Sequence, residues 1–83
     1  MQRIDFPLDP GREFVELNQL LKLAGLADSG GAGKRLVASG MVAVDGTVES
    51  RKTAKIRAGQ TVTLGDVAIR VMSTGSPPPL AAG

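Results

Sequence analysis

Arg51, Lys52, Lys55 and Arg57 place four cations within seven residues, and Ser29-Gly30-Gly31-Ala32-Gly33-Lys34-Arg35 places two more behind a glycine-rich approach. These are the residue types and spacings in the chain that could do chemistry, and what they suit is the holding of phosphate. Lysine and arginine neutralise phosphate charge, and glycine-rich backbone at a helix start can turn its N–H groups toward an anion. A nucleotide-binding phosphate loop is excluded on inspection: it needs glycine five residues before the Gly-Lys pair and Ser or Thr after the lysine, where this chain has Asp28 and Arg35. A milder anion site survives, a helix start with Lys34 and Arg35 one turn in. Against it stand two plainer readings. Gly30 and Gly31 could serve tight packing of one helix on another, and the run from 51 to 57 could be a solvated polar loop.

Absences narrow the chemistry further. The 83 residues include no His, Cys, Trp or Tyr. Disulfides and zinc are thereby excluded, along with the usual nucleophiles and general bases. The acidic residues are scattered singly, several of them at turn or cap positions, so no catalytic residue, metal site, cofactor or small-molecule substrate is expected, and the chain reads as a non-enzyme. Phe6 and Phe14 are the only aromatics, and their apolar periodicity assigns both to the core. Base stacking is then largely unavailable, which favours a binder of backbone shape and phosphate. Charge is unevenly spread: residues 1–33 hold five acidic groups against three basic, whereas residues 34–83 hold seven basic against three acidic. The second half can make a positive face. No apolar run approaches the roughly 20 residues a bilayer needs, and the first ten residues do not read as a secretory signal, so a cytoplasmic protein is expected.

The elements that must position these cations follow from periodicity. Ile4, Phe6 and Leu8 alternate with polar residues and Pro7, as in a short edge strand within an N-terminal arm, 1–12. After the turn Asp9-Pro10-Gly11, the spacing of Phe14, Leu17, Leu20, Leu21 and Ala24 predicts a helix from about Glu13 to Ala24 with acidic residues in its first turn, ended by Gly25. Asp28-Ser29 offers a cap for a second helix that closes at Gly40. Asp45-Gly46 between Met41–Val44 and Thr47–Glu49 predicts a hairpin, and Gly65-Asp66 between Thr61–Leu64 and Val67–Val71 a second. The fold class expected is α+β: two helices followed by a small antiparallel sheet of about four strands, with the N-terminal run as a candidate fifth. One domain spans 13–72, and the Pro-rich stretch 73–83 reads as a disordered tail.

The set Leu20-Leu21-Lys22 with Gly25, Ser29-Gly30-Gly31 leading to Lys34, Leu36-Val37 before Gly40, Val42-x-Val44-Asp45-Gly46, Glu49-x-Arg51-Lys52, Lys55 and Gly59-Gln60 resembles the alpha-L RNA-binding motif. This is the S-four-like domain named for small-subunit ribosomal protein four, and the likeness is strongest to its stand-alone bacterial form, the YbcJ-like proteins. It covers Leu17 to Thr63, nearly all of the folded part, and is specific as an ordered set rather than in any one element. The resemblance implies binding of structured RNA, ribosomal or transfer RNA, by the second helix and the following hairpin. It also implies phosphate contacts from Lys34, Arg51, Lys52 and Lys55, with Lys22, Arg35, Ser29 and Gly30 as further members of the site. Many relatives have arginine where this chain has Gly30, which removes base contact there, and many have alanine at Gly33. It is the same face that the charge distribution marks. A ribosome-associated monomer is expected, the rival being a protein-interaction adaptor within a ribonucleoprotein complex whose basic face meets an acidic partner.

Overall fold

The computed structural model describes residues 2–73. In chain order these form β1 (Gln2–Leu8), β2 (Val15–Glu16), α1 (Leu17–Leu23), α2 (Gly30–Ala38), β3 (Val42–Val44), β4 (Thr47–Val48), β5 (Lys55–Ile56), β6 (Thr61–Leu64) and β7 (Val67–Ser73). Both hairpins form where their turn chemistry places them. Asp45 and Gly46 take φ of 51° and 87°, the positive pair of a type I′ turn, between β3 and β4. Between β6 and β7 Gly65 takes φ of 58° while Asp66 does not, the pattern of a type II′ turn. In α2 the Ser29 hydroxyl accepts the Ala32 N–H at 3.1 Å, and Gly40, at φ of 80°, lies just past the C-cap Ser39.

The sheet corrects the expected one. It is mixed, in the order β1-β7-β6-β3-β4, and β1 joins it in parallel to β7, with Gln2 opposite Val67 and Leu8 opposite Ser73. Pro7 is accommodated because β1 is an edge strand. A second sheet of two short strands pairs β2 with β5, Val15 opposite Ile56 and Glu16 opposite Lys55. That pairing also corrects the first helix, which begins at Leu17 with no acidic residue in its first turn. From Phe14 to Leu17 the burial pattern is strand-like, Val15 and Leu17 inward and Glu16 outward, and a strand partner at residues 55–56 takes those backbone groups before a helix can. Ser73 ends β7 instead of opening a tail; the rest of that tail lies outside the described residues.

The core joins the layers. Leu17, Leu20 and Leu21 of α1 and Val37 of α2 form one buried cluster with Val42, Val62, Ile69 and Val71 of the five-stranded sheet and with Val15 and Ile56 of the two-stranded one. The helices approach closely at Gly33, where a Cβ would fall within 3.1 Å of the Asn18 carbonyl carbon and Cα and closer still to its oxygen. A Cβ at Gly30 would meet Gln19 Nε2 at 2.9 Å and Asn18 Nδ2 at 3.4 Å, whereas Gly31 is exposed and meets only Ser29 Oγ at 3.8 Å. The glycines therefore divide: Gly33 lets the α2 backbone lie on that of α1, Gly30 faces only side-chain ends of α1, and Gly31 faces neither.

Candidate nucleic-acid interface

The start of α1 fixes the basic loop. Glu16 makes no side-chain cap there, and the orphan N–H groups of Leu17 and Asn18 instead donate to the carbonyls of Ala54, at 2.8 Å, and Lys52, at 3.1 Å. The loop that carries Lys52 is thus itself the cap of α1. The Asn18 side chain, 2% exposed, reaches the other way, its Nδ2 donating to the Gly30 carbonyl at 3.5 Å, while its Oδ1 has no hydrogen-bond partner among the described residues. One buried residue therefore holds both Lys52 and the start of α2, and brings together the two segments that the charge pattern singled out. Asn18 was missed in the sequence, where it reads as an outward polar position on a helix.

The cations differ in what holds them. Lys34 and Lys52 are exposed and have no ion-pair partner among the described residues. Arg35 lines a separate groove of about 390 Å³ with Leu26, Asp28, Leu36 and Met41. Lys22 lies in the last turn of α1, away from the Asn18 end, where a cation also complements the helix dipole. The Ser29 hydroxyl is engaged as the α2 cap.

Arg51 is bound side-on by Glu49: Nε donates to Oε2 and Nη2 to Oε1, both at 3.2 Å, and the Arg51 backbone N–H donates to Oε2 at 2.9 Å. These hydrogen bonds, from the side chain first and the backbone second, hold the Glu49 carboxyl below its ordinary pKa, and the same bond raises that of Arg51. Arg51, Thr53, Ala54 and Lys55 line a shallow hollow of about 470 Å³.

Phe14 is not a core residue, as its spacing suggested. It is half-buried, with Lys55 Nζ 5.0 Å and Arg57 Cζ 6.0 Å from its ring centroid. The β2–β5 register, continued one step, sets Phe14 opposite Arg57, which makes Arg57 a neighbour of the site. Other motif residues serve the fold: Asp45 Oδ1 accepts the Thr61 N–H at 2.9 Å, and Gln60 Oε1 accepts the Arg57 N–H at 2.7 Å.

Two packed helices, a hairpin and a basic loop capped onto the first helix define a small α+β domain with an exposed cationic edge. The family model described as S4 domain matches residues 8–72, and the chain belongs to that family. The chain is 49% identical over 59 residues to a YbcJ protein of Escherichia coli (strain K12), whose name assigns it RNA binding provisionally, and to the uncharacterized YbcJ of Shigella flexneri. Each alignment covers 71% of this chain and 84% of the relative. The solution structure of YbcJ from E. coli, described as revealing an αL motif involved in RNA binding, superposes with a TM-score of 0.64 at 46% identity, covering 82% of this chain and 85% of that one. Among the described residues no helix is long and apolar enough to cross a membrane.

Proposed function

We propose that this chain is a non-enzymatic RNA-binding protein that docks structured RNA, ribosomal or transfer RNA, against the edge formed by the start of α2 and the segment from Glu49 to Arg57. The observation that carries the reading is the attachment of both basic segments to Asn18, which fixes Lys52 and the start of α2 relative to each other in a domain whose relative is named for RNA binding. Lys34, Arg51, Lys52 and Lys55 contact phosphates along an A-form duplex or helix junction, with Arg35, Lys22, Ser29 and Gly30 at the margins. Shape is read through the fixed spacing of these cations, and the protein works as a cytoplasmic, ribosome-associated monomer.

The test is binding of the purified protein to labelled structured RNA and to a matched DNA duplex across a salt series, beside the variant Arg51→Ala/Lys52→Ala/Lys55→Ala. With about five phosphates neutralised, log affinity falls against log salt with a slope of roughly −3.5 to −4.5. The variant binds more weakly with a shallower slope. Equal binding by the variant, or none by either, removes the reading. One observation favours an adaptor role instead: Met41, 59% exposed, lies beside Arg35 in the groove along α2. Under that reading Met41→Ser weakens capture of an acidic protein partner and leaves RNA binding untouched.

A further inference from the structure

Arg51 differs from the other cations of the face in that its charge is already answered. Its side chain is 78% exposed, yet the Nε–Nη2 edge of the guanidinium is closed by both oxygens of Glu49, and the same carboxylate is tied to the backbone N–H of residue 51. Three hydrogen bonds from one residue to one carboxylate fix the plane of the guanidinium. What stays open is its outer edge, Nη1 and the second hydrogen of Nη2, a fork that fits two acceptors side by side. A phosphate presents two such oxygens but also brings a negative charge toward the Glu49 carboxylate. A guanine presents O6 and N7 with no net charge. Arg51 also lines a hollow with Thr53, Ala54 and Lys55.

We infer that Arg51, held by Glu49, is a specificity-determining residue that reads the O6/N7 edge of an unpaired guanine, while Lys52 and Lys55 supply the charge that holds the backbone. The inference rests on the RNA-binding reading above and replaces the phosphate contact given there to Arg51 with a base contact. The guanine lies in a loop, bulge or helix end, because the deep major groove of A-form RNA hides that edge. Adenine is refused because it sets an N6 donor against a guanidinium that has only donors. Glu49 is the positioning residue: it gives up part of the electrostatic attraction of Arg51 and gains a fixed orientation.

The experiment compares two labelled hairpin RNAs of identical stem, one with a loop of guanosines and uridines and one with adenosines in place of the guanosines. A third arm carries 7-deazaguanosine, which keeps O6 and lacks N7. The wild type prefers the guanosine loop by roughly five- to one-hundred-fold, and the 7-deaza arm loses most of that preference. Arg51→Lys keeps the charge but not the fork; it abolishes the preference with little change in salt slope. Glu49→Gln releases the guanidinium, loses preference, and steepens the slope by about 0.7 to 0.9 as a full charge becomes available to phosphate. Lys52→Ala flattens the slope and weakens both hairpins equally, leaving the preference intact. If the wild type binds both hairpins equally while Lys52→Ala still weakens them, the RNA reading stands and the guanine site is overturned. If Arg51→Ala flattens the slope as much as Lys52→Ala, Arg51 is an ordinary phosphate contact and the inference is again overturned. Binding of neither hairpin sinks both.

Discussion

The two hairpins of this domain are built from the same local chemistry and put to different uses. The β6–β7 hairpin pairs four residues of β6 with four of β7 in the middle of the five-stranded sheet, and buries Val62, Ile69 and Val71 completely. The β3–β4 hairpin stops after two pairs, and both residues of β4 are exposed at the sheet edge, Val48 at 61%. Past β4 the chain holds the sheet by one more bond, Glu49 N–H to the Val42 carbonyl at 3.0 Å, and then crosses to cap α1 with its carbonyls at 52 and 54. A short hairpin thus releases the basic segment from the sheet, whereas the long one builds the core. The core and the basic segment are divided between them.

The division breaks if truncation of the two hairpins costs the same. Ile69→Ala removes a fully buried side chain from the core and is expected to lower the unfolding free energy by about 2–5 kcal/mol. Val48→Ala, on the exposed strand, stays within about 0.5 kcal/mol. Urea denaturation of both variants measures the difference, and comparable losses would mean that β4 carries core energy its exposure does not show.

A sharper contrast lies within α2. Gly33→Ala drives a methyl into the Asn18 backbone, which cannot rotate aside as a side chain could; the overpacking costs about 1–3 kcal/mol against about 1 kcal/mol gained in helix propensity. The expected result is a net loss, together with weaker RNA binding as α2 is pushed from the residue that also holds Lys52. Gly31→Ala meets only Ser29 Oγ, at an ordinary contact distance of 3.8 Å, and gains up to about 1 kcal/mol. Opposite signs two residues apart, in thermal melts of the two variants, are the outcome that supports Asn18 as the joint of the site. A Gly33→Ala variant as stable as the wild type would show that the helices are free to move apart.

These contrasts mark which parts of the structure the sequence displays. Turns and caps are legible because they are decided within four residues: Asp45-Gly46, Gly65-Asp66 and Ser29 each occupy the expected place. The parallel pairing of β1 with β7 joins residues more than 60 apart, and no local pattern records a partner at that distance. Val15 to Leu17 obey strand and helix spacing at once, and only the distant Lys55-Ile56 decides between them. The cations were legible as residue types, but their differences were not. Glu49 answers Arg51, and Phe14 lies beneath Lys55 and Arg57, through contacts that charge counting does not reveal.

The turns themselves sharpen the comparison at a smaller scale. Asp45 has positive φ and its carboxylate accepts the Thr61 N–H, tying the β3–β4 hairpin to β6, whereas Asp66 in the core hairpin has ordinary φ. Asp45→Ala loses that bond and places alanine in a left-handed conformation, for a cost of about 1–2 kcal/mol. Asp66→Ala changes stability by less than about 0.5 kcal/mol. Asp45→Asn keeps an acceptor and tolerates the φ, and recovers most of the loss in the same denaturation series.

The smallest effect concerns acid. The bonds from Arg51 lower the Glu49 pKa from its ordinary 4.5, so the stabilisation the pair adds is complete above 4.5 and disappears only as pH falls through the lower folded-state value. Because the Arg51 side chain is 78% exposed, the contribution of the pair to global stability is too small to register in a melting curve. The Arg51 amide is the better reporter, since it donates directly to Glu49 Oε2. Its NMR shift is expected to titrate with a midpoint below 4.5, and the transition vanishes in Glu49→Gln. A midpoint at or above 4.5 would mean that Arg51 does not hold the carboxylate in solution, and an arginine so released would join Lys34 and Lys52 as a plain phosphate contact.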